Sequence, residues 1–112
     1  MNILANAKQH FNERRKLKGP IEVKEWGDEN GPAKIYYQVP NMQERSEIFK
    51  FVQDGGLEGV VMTLILIARD ESGAPIFTGA QKDELMRSVD PDIVSRIVNH
   101  MDIVEIEDDL GN

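Results

Sequence analysis

The segment Val60-Val61-Met62-Thr63-Leu64-Ile65-Leu66-Ile67-Ala68 is the longest apolar run in the chain and is interrupted only by its threonine. Such a run is typical of a buried strand and of a buried helix, and periodicity alone does not separate the two. The whole segment from 57 to 69 is longer than most strands, which favours a helix. We therefore predict a central helix that packs on several sides. The run is too short to cross a bilayer, which takes about 20 residues.

After this run the sequence marks a turn and the start of a short helix. Asp70-Glu71-Ser72-Gly73 predicts the turn, and Pro75 favours an extended backbone in the residue before it. Thr78 and Gln81 have the spacing of a capping box, which predicts a helix through Met86.

The last helix has the clearest start in the chain. In Asp90-Pro91 the aspartate suits the N-cap and the proline suits the first helical position. Apolar residues then recur at core spacing from Ile93 to Val104. The following residues, 105–112, are acidic and predict a solvated, flexible tail.

Two further helices are predicted before the apolar run. Residues 3–18 have helical apolar spacing and a basic end, and Gly19-Pro20 stops them. Asn41 and Glu44 form an asparagine version of the capping box, and Gly55-Gly56 ends the helix that they begin. In this second helix Met42, Arg45, Phe49 and Val52 share one face.

Between these helices the sequence predicts a β-hairpin at about residues 21–39, with Ile35, Tyr37 and Val39 on one face. Taken together, the elements predict an α+β fold. It is a mainly helical single domain at residues 1–104 with one hairpin near the N-terminus, followed by the acidic tail at 105–112.

The composition argues against several classes of function. The formal net charge is -7 and the pI is near 4.8, whereas binding to nucleic acid or to an anionic membrane normally needs a basic surface. The chain has no cysteine, which removes disulfides, thiolate metal sites and cysteine nucleophiles and fits a reducing cytoplasm. The N-terminal residues build no apolar segment of the kind found in signal peptides.

The sequence contains no recognisable catalytic or metal-binding pattern. His10 and His100 are the only histidines, neither has a second ligand at helical spacing, and both are predicted to be surface or boundary residues. Thr63 and Ser46 lack a context that would activate a nucleophile. The carboxylates suit turns, N-caps and solvation. We therefore predict that the protein is not an enzyme and uses no metal or cofactor.

The candidate partner-binding residues are basic or aromatic. The basic cluster near residues 14–18 suits either the helix dipole or a docking surface for an acidic partner helix. The tryptophan suits either the core or an interface. The predicted contact residues are Arg14, Arg15, Lys18, Trp26, Tyr36 and Phe49.

The order of motifs resembles a known family. The apolar helix continues into Arg69-Asp70-Glu71-Ser72-Gly73-Ala74-Pro75-Ile76-Phe77-Thr78, a short helix with Leu85 follows, and Val89-Asp90-Pro91-Asp92-Ile93-Val94-Ser95-Arg96-Ile97 supplies a turn and a terminal amphipathic helix. This resembles the tail assembly chaperones of long-tailed, lambda-like bacteriophages and prophages. In that family an apolar helix precedes a similar D-x-x-G-x-P-x-F segment and a short helix with a leucine. The resemblance covers roughly residues 40–104, and the hairpin is not matched.

The resemblance implies a binding function. A chaperone of this family binds the long, helical tape measure protein before the tail tube assembles around it, and recruits tail tube subunits. It acts in the cytoplasm of the bacterial host and is absent from the finished virion. The expected partners are therefore the tape measure protein and the tail tube protein, and self-association through the hairpin edge is a further expectation. Neither nucleic acid nor a membrane is expected as a partner.

Two alternatives remain open from the sequence. One is a small acidic regulatory adaptor, of the antitoxin or anti-activator type, that blocks a basic partner; steep loss of partner binding with salt would favour it. The other is a structural tail component that stays in the virion.

The resemblance also predicts a programmed minus-one frameshift at the end of the gene. A G-GGA-AAC slippery heptamer would encode a codon ending in G, then glycine, then asparagine, and the chain ends Leu110-Gly111-Asn112. Sequencing the gene across these codons and the following minus-one frame checks this. The expected result is the heptamer opening into a long reading frame, and a non-slippery end would contradict it.

Overall fold

The computed structural model describes residues 1–52 and 56–101, in which five helices and three strands follow one another. In chain order the elements are α1 (Ile3–Arg14), β1 (Lys18–Asp28), β2 (Gly31–Tyr37), α2 (Met42–Val52), α3 (Leu57–Ile67), β3 (Ala68–Arg69), α4 (Lys82–Ser88) and α5 (Pro91–His100), with a 3-10 turn at Gly79–Gln81. The predicted α+β class with a hairpin near the N-terminus is confirmed. Val104, Gly55 and the predicted tail at 105–112 lie outside the described residues.

The apolar run forms α3 as far as Ile67, as predicted, and this helix is buried on more than one side. Leu64 and Ile67 are almost completely buried, and α2, α4 and α5 all pack against the helix. Thr63 is buried too, and its hydroxyl donates a hydrogen bond to the Gly59 carbonyl at 2.8 Å, which satisfies the polar group inside the core. Within the described ranges, no helix combines the length and the apolar character needed to traverse a bilayer.

The sheet covers a further side of the core. Its strand order is β1-β2-β3, and both pairings are antiparallel. Ile35, Tyr37 and Val39 are buried, which confirms their predicted common face. Val23 of β1 is fully buried in the same cluster.

The first helix is shorter than predicted, and the hairpin begins earlier. α1 ends at Arg14 rather than at residue 18, and Lys18 already pairs with Tyr37 in the sheet. Gly19 and Pro20 therefore lie inside β1, where the register shift before Ile21 makes a bulge. Gly19 has a φ of 118°, a conformation that glycine adopts without a Cβ penalty, so this dipeptide bends a strand instead of ending a helix.

The third strand is not predicted from the sequence because it has only two residues. Ala68 and Arg69 pair with β2 directly after α3. The predicted turn at 70–73 follows: the Asp70 carboxylate accepts hydrogen bonds from the Ser72 amide at 2.9 Å and the Ala74 amide at 3.0 Å. This turn brings Pro75 back beside Arg69.

The predicted helix caps are present. Asn41 and Glu44 exchange side-chain-to-backbone hydrogen bonds of 2.8 and 3.0 Å at the start of α2. Thr78 and Gln81 form a reciprocal capping box, although it opens the 3-10 turn that leads into α4. Asp90 accepts a hydrogen bond from the Asp92 amide at the start of α5.

A bidentate ion pair ties β1 to α5. The Arg96 guanidinium donates to both carboxylate oxygens of Glu25, at 2.7 and 2.9 Å. These hydrogen bonds lower the pKa of Glu25 from its ordinary value of 4.5 to about 2. Because the folded-state pKa is depressed, the pair stabilises the fold above the unfolded-state pKa and loses its contribution as the pH falls.

We expect Glu25→Gln to destabilise the protein at neutral pH. The difference in free energy of unfolding between this variant and the wild type should shrink as the pH falls from 4.5 to about 2, because protonation of Glu25 then removes the same ion pair in the wild type. Denaturant unfolding at a series of pH values measures it. Glu22→Gln, three residues earlier on the same strand, is the control for loss of one charge. A difference that stays constant with pH would contradict the expectation.

Candidate functional site

The described residues contain no cluster suited to metal chemistry: no group of three or more His, Asp or Glu side chains could hold a metal ion. His10 and His100 are both exposed, as predicted. The Nδ1 atom of His100 lies 2.7 Å from the Arg96 carbonyl oxygen. The features that stand out are apolar surfaces, which are typical of protein binding.

The helix α1 carries an exposed apolar face. None of its residues is buried, and Ile3 and Leu4 are 75% and 66% exposed. Ala7 is exposed and Phe11 is half-buried. These positions recur at helical spacing and therefore lie on one side of the helix. We call Ile3, Leu4 and Ala7 the exposed α1 face.

A second apolar surface lies where the end of α1 meets the start of α2. This α1–α2 notch has a volume of about 360 Å³. It is lined by Phe11, Arg14, Val39, Pro40, Asn41, Met42 and Arg45. Along α2 the apolar surface continues, because Met42 is 91% exposed and Phe49 is 51% exposed. The face shared by Met42, Arg45 and Phe49 thus points away from the core, while Ile48 packs against it.

A third surface is a small groove between the first turns of α3 and α5 and the second half of α4. This α3–α5 groove has a volume of about 140 Å³. Its lining is almost wholly apolar and consists of Leu57, Val60, Val61, Leu85, Met86, Val89, Pro91, Val94 and Ser95. Leu57 and Met86 are 56% and 40% exposed, so they form its accessible edges.

The Glu44 cluster joins α1 to the rest of the molecule. One Glu44 oxygen accepts hydrogen bonds from Arg15 at 2.8 Å and from the Asn41 amide at 3.0 Å. The other lies 3.8 Å from the Arg69 guanidinium. All three side chains are at most 25% exposed, so this cluster is shielded from water more than a surface ion pair is. Arg15 also lies over the Phe11 ring, 5.7 Å from its centroid.

The structure distributes the predicted basic residues over three environments. Arg14 lines the α1–α2 notch. Arg15 belongs to the Glu44 cluster. Lys18 begins β1. The three residues therefore have different surroundings, and their roles as partner contacts stay predictions.

The predicted aromatic contact residues also differ in their surroundings and exposure. Trp26 is half-buried against the core and meets Phe77 edge to face, with 6.4 Å between ring centroids. Tyr36 is half-buried and lies on the sheet face opposite to Ile35 and Tyr37. Phe49 is the exposed member of the three, on α2.

Several exposed apolar residues are not marked as contacts by the sequence. Ile3, Leu4 and Leu57 have the spacing of core-facing positions, so the sequence alone does not show that the core leaves them uncovered. The sequence of α1 does give one indication that its apolar residues are exposed, because the rest of this helix is rich in amides and charges.

We expect Arg15→Ala to lower the free energy of unfolding by about 2 kcal/mol, because it leaves the largely buried Glu44 carboxylate without its closest cation. Chemical denaturation measures the change. Lys16→Ala, at the exposed neighbouring position, should change stability by less than about 0.5 kcal/mol. Equal effects of the two substitutions would show that the cluster does not stabilise the fold.

Comparison with known proteins gives a structural match. No protein-family model matches the chain, and no curated protein matches its sequence. Among solved structures, the tail assembly chaperone of bacteriophage HK97 is similar, with a TM-score of 0.58 and 14% sequence identity. The match covers 88% of this chain and 96% of that chain. At this identity the likeness concerns the fold, and this chain shares the architecture of the HK97 protein over nearly its whole length.

Proposed function

We propose that this protein is a tail assembly chaperone of a long-tailed bacteriophage or prophage. It binds the tape measure protein, helps to recruit tail tube subunits, acts in the host cytoplasm and is absent from the mature virion. The observation that carries the proposal is the fold shared with the HK97 tail assembly chaperone over 96% of that chain. The order of motifs in the sequence resembles the same family, while no family model matches the chain.

The surfaces suit a protein that holds another protein. The α1–α2 notch and the adjoining α2 face offer apolar contact area on an otherwise charged chain. Unbranched methionine adapts to irregular partners, and Met42 lies at the junction of the two surfaces. An amphipathic helix of the tape measure protein would lay its apolar side along Met42 and Phe49, with Arg45 beside it. Arg14 and Phe49 are the predicted contact residues that belong to these surfaces.

An acidic adaptor fits the structure less well. A blocking acidic face needs carboxylates directed at the partner, but several acidic residues here bind the chain's own groups. Glu25 pairs with Arg96, Glu44 with Arg15 and Glu58 with Lys82. Asp70 and Asp90 accept backbone hydrogen bonds in a turn and at a helix cap.

Co-expression with a tape measure protein of a long-tailed phage tests the proposal. The wild-type chain should raise the fraction of tape measure protein that stays soluble after centrifugation. In a variant carrying both Met42→Glu and Phe49→Glu, the affinity for the tape measure protein should fall roughly tenfold, because two exposed apolar contacts become charged. The soluble fraction of tape measure protein should fall with it. Both positions are exposed, so circular dichroism should show the wild-type fold.

Gln43→Glu is the matched control, since it adds a charge to an exposed position of α2 about a quarter turn away from this face. It should retain the wild-type effect. Equal solubility of the tape measure protein with and without the chain would contradict the proposal. Detection of the chain by mass spectrometry in purified virions would favour a structural tail component instead.

A further inference from the structure

We propose that the acidic segment at residues 102–112 docks in the α1–α2 notch of its own molecule and competes there with the tape measure protein. The identity of the competitor rests on the proposed function, whereas the contact within the chain does not. The segment lies outside the described residues, and its sequence is Asp102-Ile103-Val104-Glu105-Ile106-Glu107-Asp108-Asp109-Leu110-Gly111-Asn112. We call it the acidic segment.

The acidic segment combines negative charge with aliphatic side chains. Every charged residue after His100 is acidic, and four aliphatic residues lie among these carboxylates. Such a segment is suited to a surface that is both apolar and basic, because its aliphatic side chains then leave water while its carboxylates meet cations. A purely apolar or purely basic surface offers only one of these two gains.

The α1–α2 notch has this mixed chemistry. Two of its lining residues are arginines, Arg14 and Arg45, and most of the others are apolar. None of the lining residues that the structure describes is acidic. Glu44, on the same helix as Arg45, accepts hydrogen bonds from Arg15 and from the Asn41 amide. The notch volume of about 360 Å³ is sufficient to enclose side chains of a docked segment.

The end of α5 places the acidic segment within reach of the notch. His100, the last residue of α5, and Tyr37, the last residue of β2, line one cavity together. Val39, two residues beyond Tyr37, already lines the notch. An extended chain spans about 3.3–3.6 Å per residue, so the carboxylates at 105–109 can lie up to about 14 to 29 Å from Met101. This length allows the segment to cross the cavity and enter the notch.

The α3–α5 groove is unsuited to the same segment. Asp90 and Asp92 flank its lining residue Pro91, and both are exposed. The carboxylates of the segment would meet like charges there, which disfavours docking. The charges of the two surfaces therefore select the α1–α2 notch.

Docking of the acidic segment makes tape measure binding conditional. Met42 belongs both to the notch and to the surface proposed for the tape measure helix, so the segment and the helix cannot occupy it together. A segment joined to its site by a few residues has an effective concentration in the millimolar range, so a weak contact is enough for competition. If the segment fills the notch about nine-tenths of the time, the apparent affinity for a partner falls about tenfold.

A spin label on the acidic segment tests the contact without any partner. The chain has no cysteine, so Asn112→Cys provides a single attachment site for a nitroxide. Compared with the reduced label, the nitroxide should weaken the amide NMR signals of Phe11 and Met42 at the notch. The signals of Leu57 and Met86 at the α3–α5 groove should keep their intensity. Equal weakening at both surfaces, or at neither, overturns the proposal.

Neutralising the acidic segment tests the role of charge. The variant replaces its four carboxylates at 105–109 with amides: Glu105→Gln, Glu107→Gln, Asp108→Asn and Asp109→Asn. In the spin-labelled chain this variant should abolish the weakening at the notch, and high salt should do the same to the wild type. The matched control replaces four exposed carboxylates elsewhere: Glu29→Gln, Glu71→Gln, Asp83→Asn and Glu84→Gln. The control should retain the weakening, and its persistence in the first variant overturns the proposal.

A mixed sample separates contact within one molecule from contact between copies. It contains ¹⁵N-labelled chain without the nitroxide and unlabelled chain that carries it. The notch signals should keep their intensity in this mixture, and weakening would overturn the proposal because the segment would then occupy a second copy.

The neutralised variant should also bind a tape measure protein about tenfold more tightly than the wild type does. An unchanged affinity would overturn the competition. Absence of tape measure binding by either protein would contradict the proposed function instead, and the spin-label measurement would still decide the contact within the chain.

Discussion

Because α3 is buried on several sides, its position determines where the other elements lie. A helix with so continuous an apolar sequence cannot present a polar side to water, so other elements must cover it on several sides. The sheet, α2, α4 and α5 provide this cover, and their buried residues form one cluster around Leu64, Ile67 and Ile97. The short third strand follows from the same constraint, because the chain leaves α3 directly beneath the hairpin and pairs with it at once.

This arrangement also explains why apolar residues remain on the surface. The elements that cover α3 complete the core without α1, none of whose residues is buried. Met42 and Phe49 lie on the side of α2 that faces away from α3. Folding alone therefore gives no reason for these apolar positions, and partner binding is the physical role that accounts for a set of this kind.

Much of the fold was predictable because it depends on local chemistry. The length of the apolar segment identifies α3. The reciprocal hydrogen bonds of Asn41 and Glu44, and the single hydrogen bond that Asp90 accepts, mark helix starts whatever the rest of the chain does. The missed features depend on contacts between distant residues. α1 ends at Arg14, four residues before the predicted end, because Lys18 pairs with Tyr37 in the sheet instead. Arg15 contacts Glu44, which lies 29 positions away in the sequence. The candidate surfaces were less predictable, since exposure of Leu4 or Leu57 depends on what the core leaves uncovered.

α1 is attached to the rest of the molecule at its C-terminal end, through the Glu44 cluster. A helix of 12 residues is about 18 Å long, so a rotation of 10° at the Glu44 cluster displaces its far end by roughly 3 Å. The contacts about which the helix would rotate are the ion pairs of the Glu44 cluster. Ion pairs can reorient with little loss of contact, whereas an interdigitated apolar interface cannot. The far end of α1 can thus change its angle to the core while the buried contacts of the core stay in place.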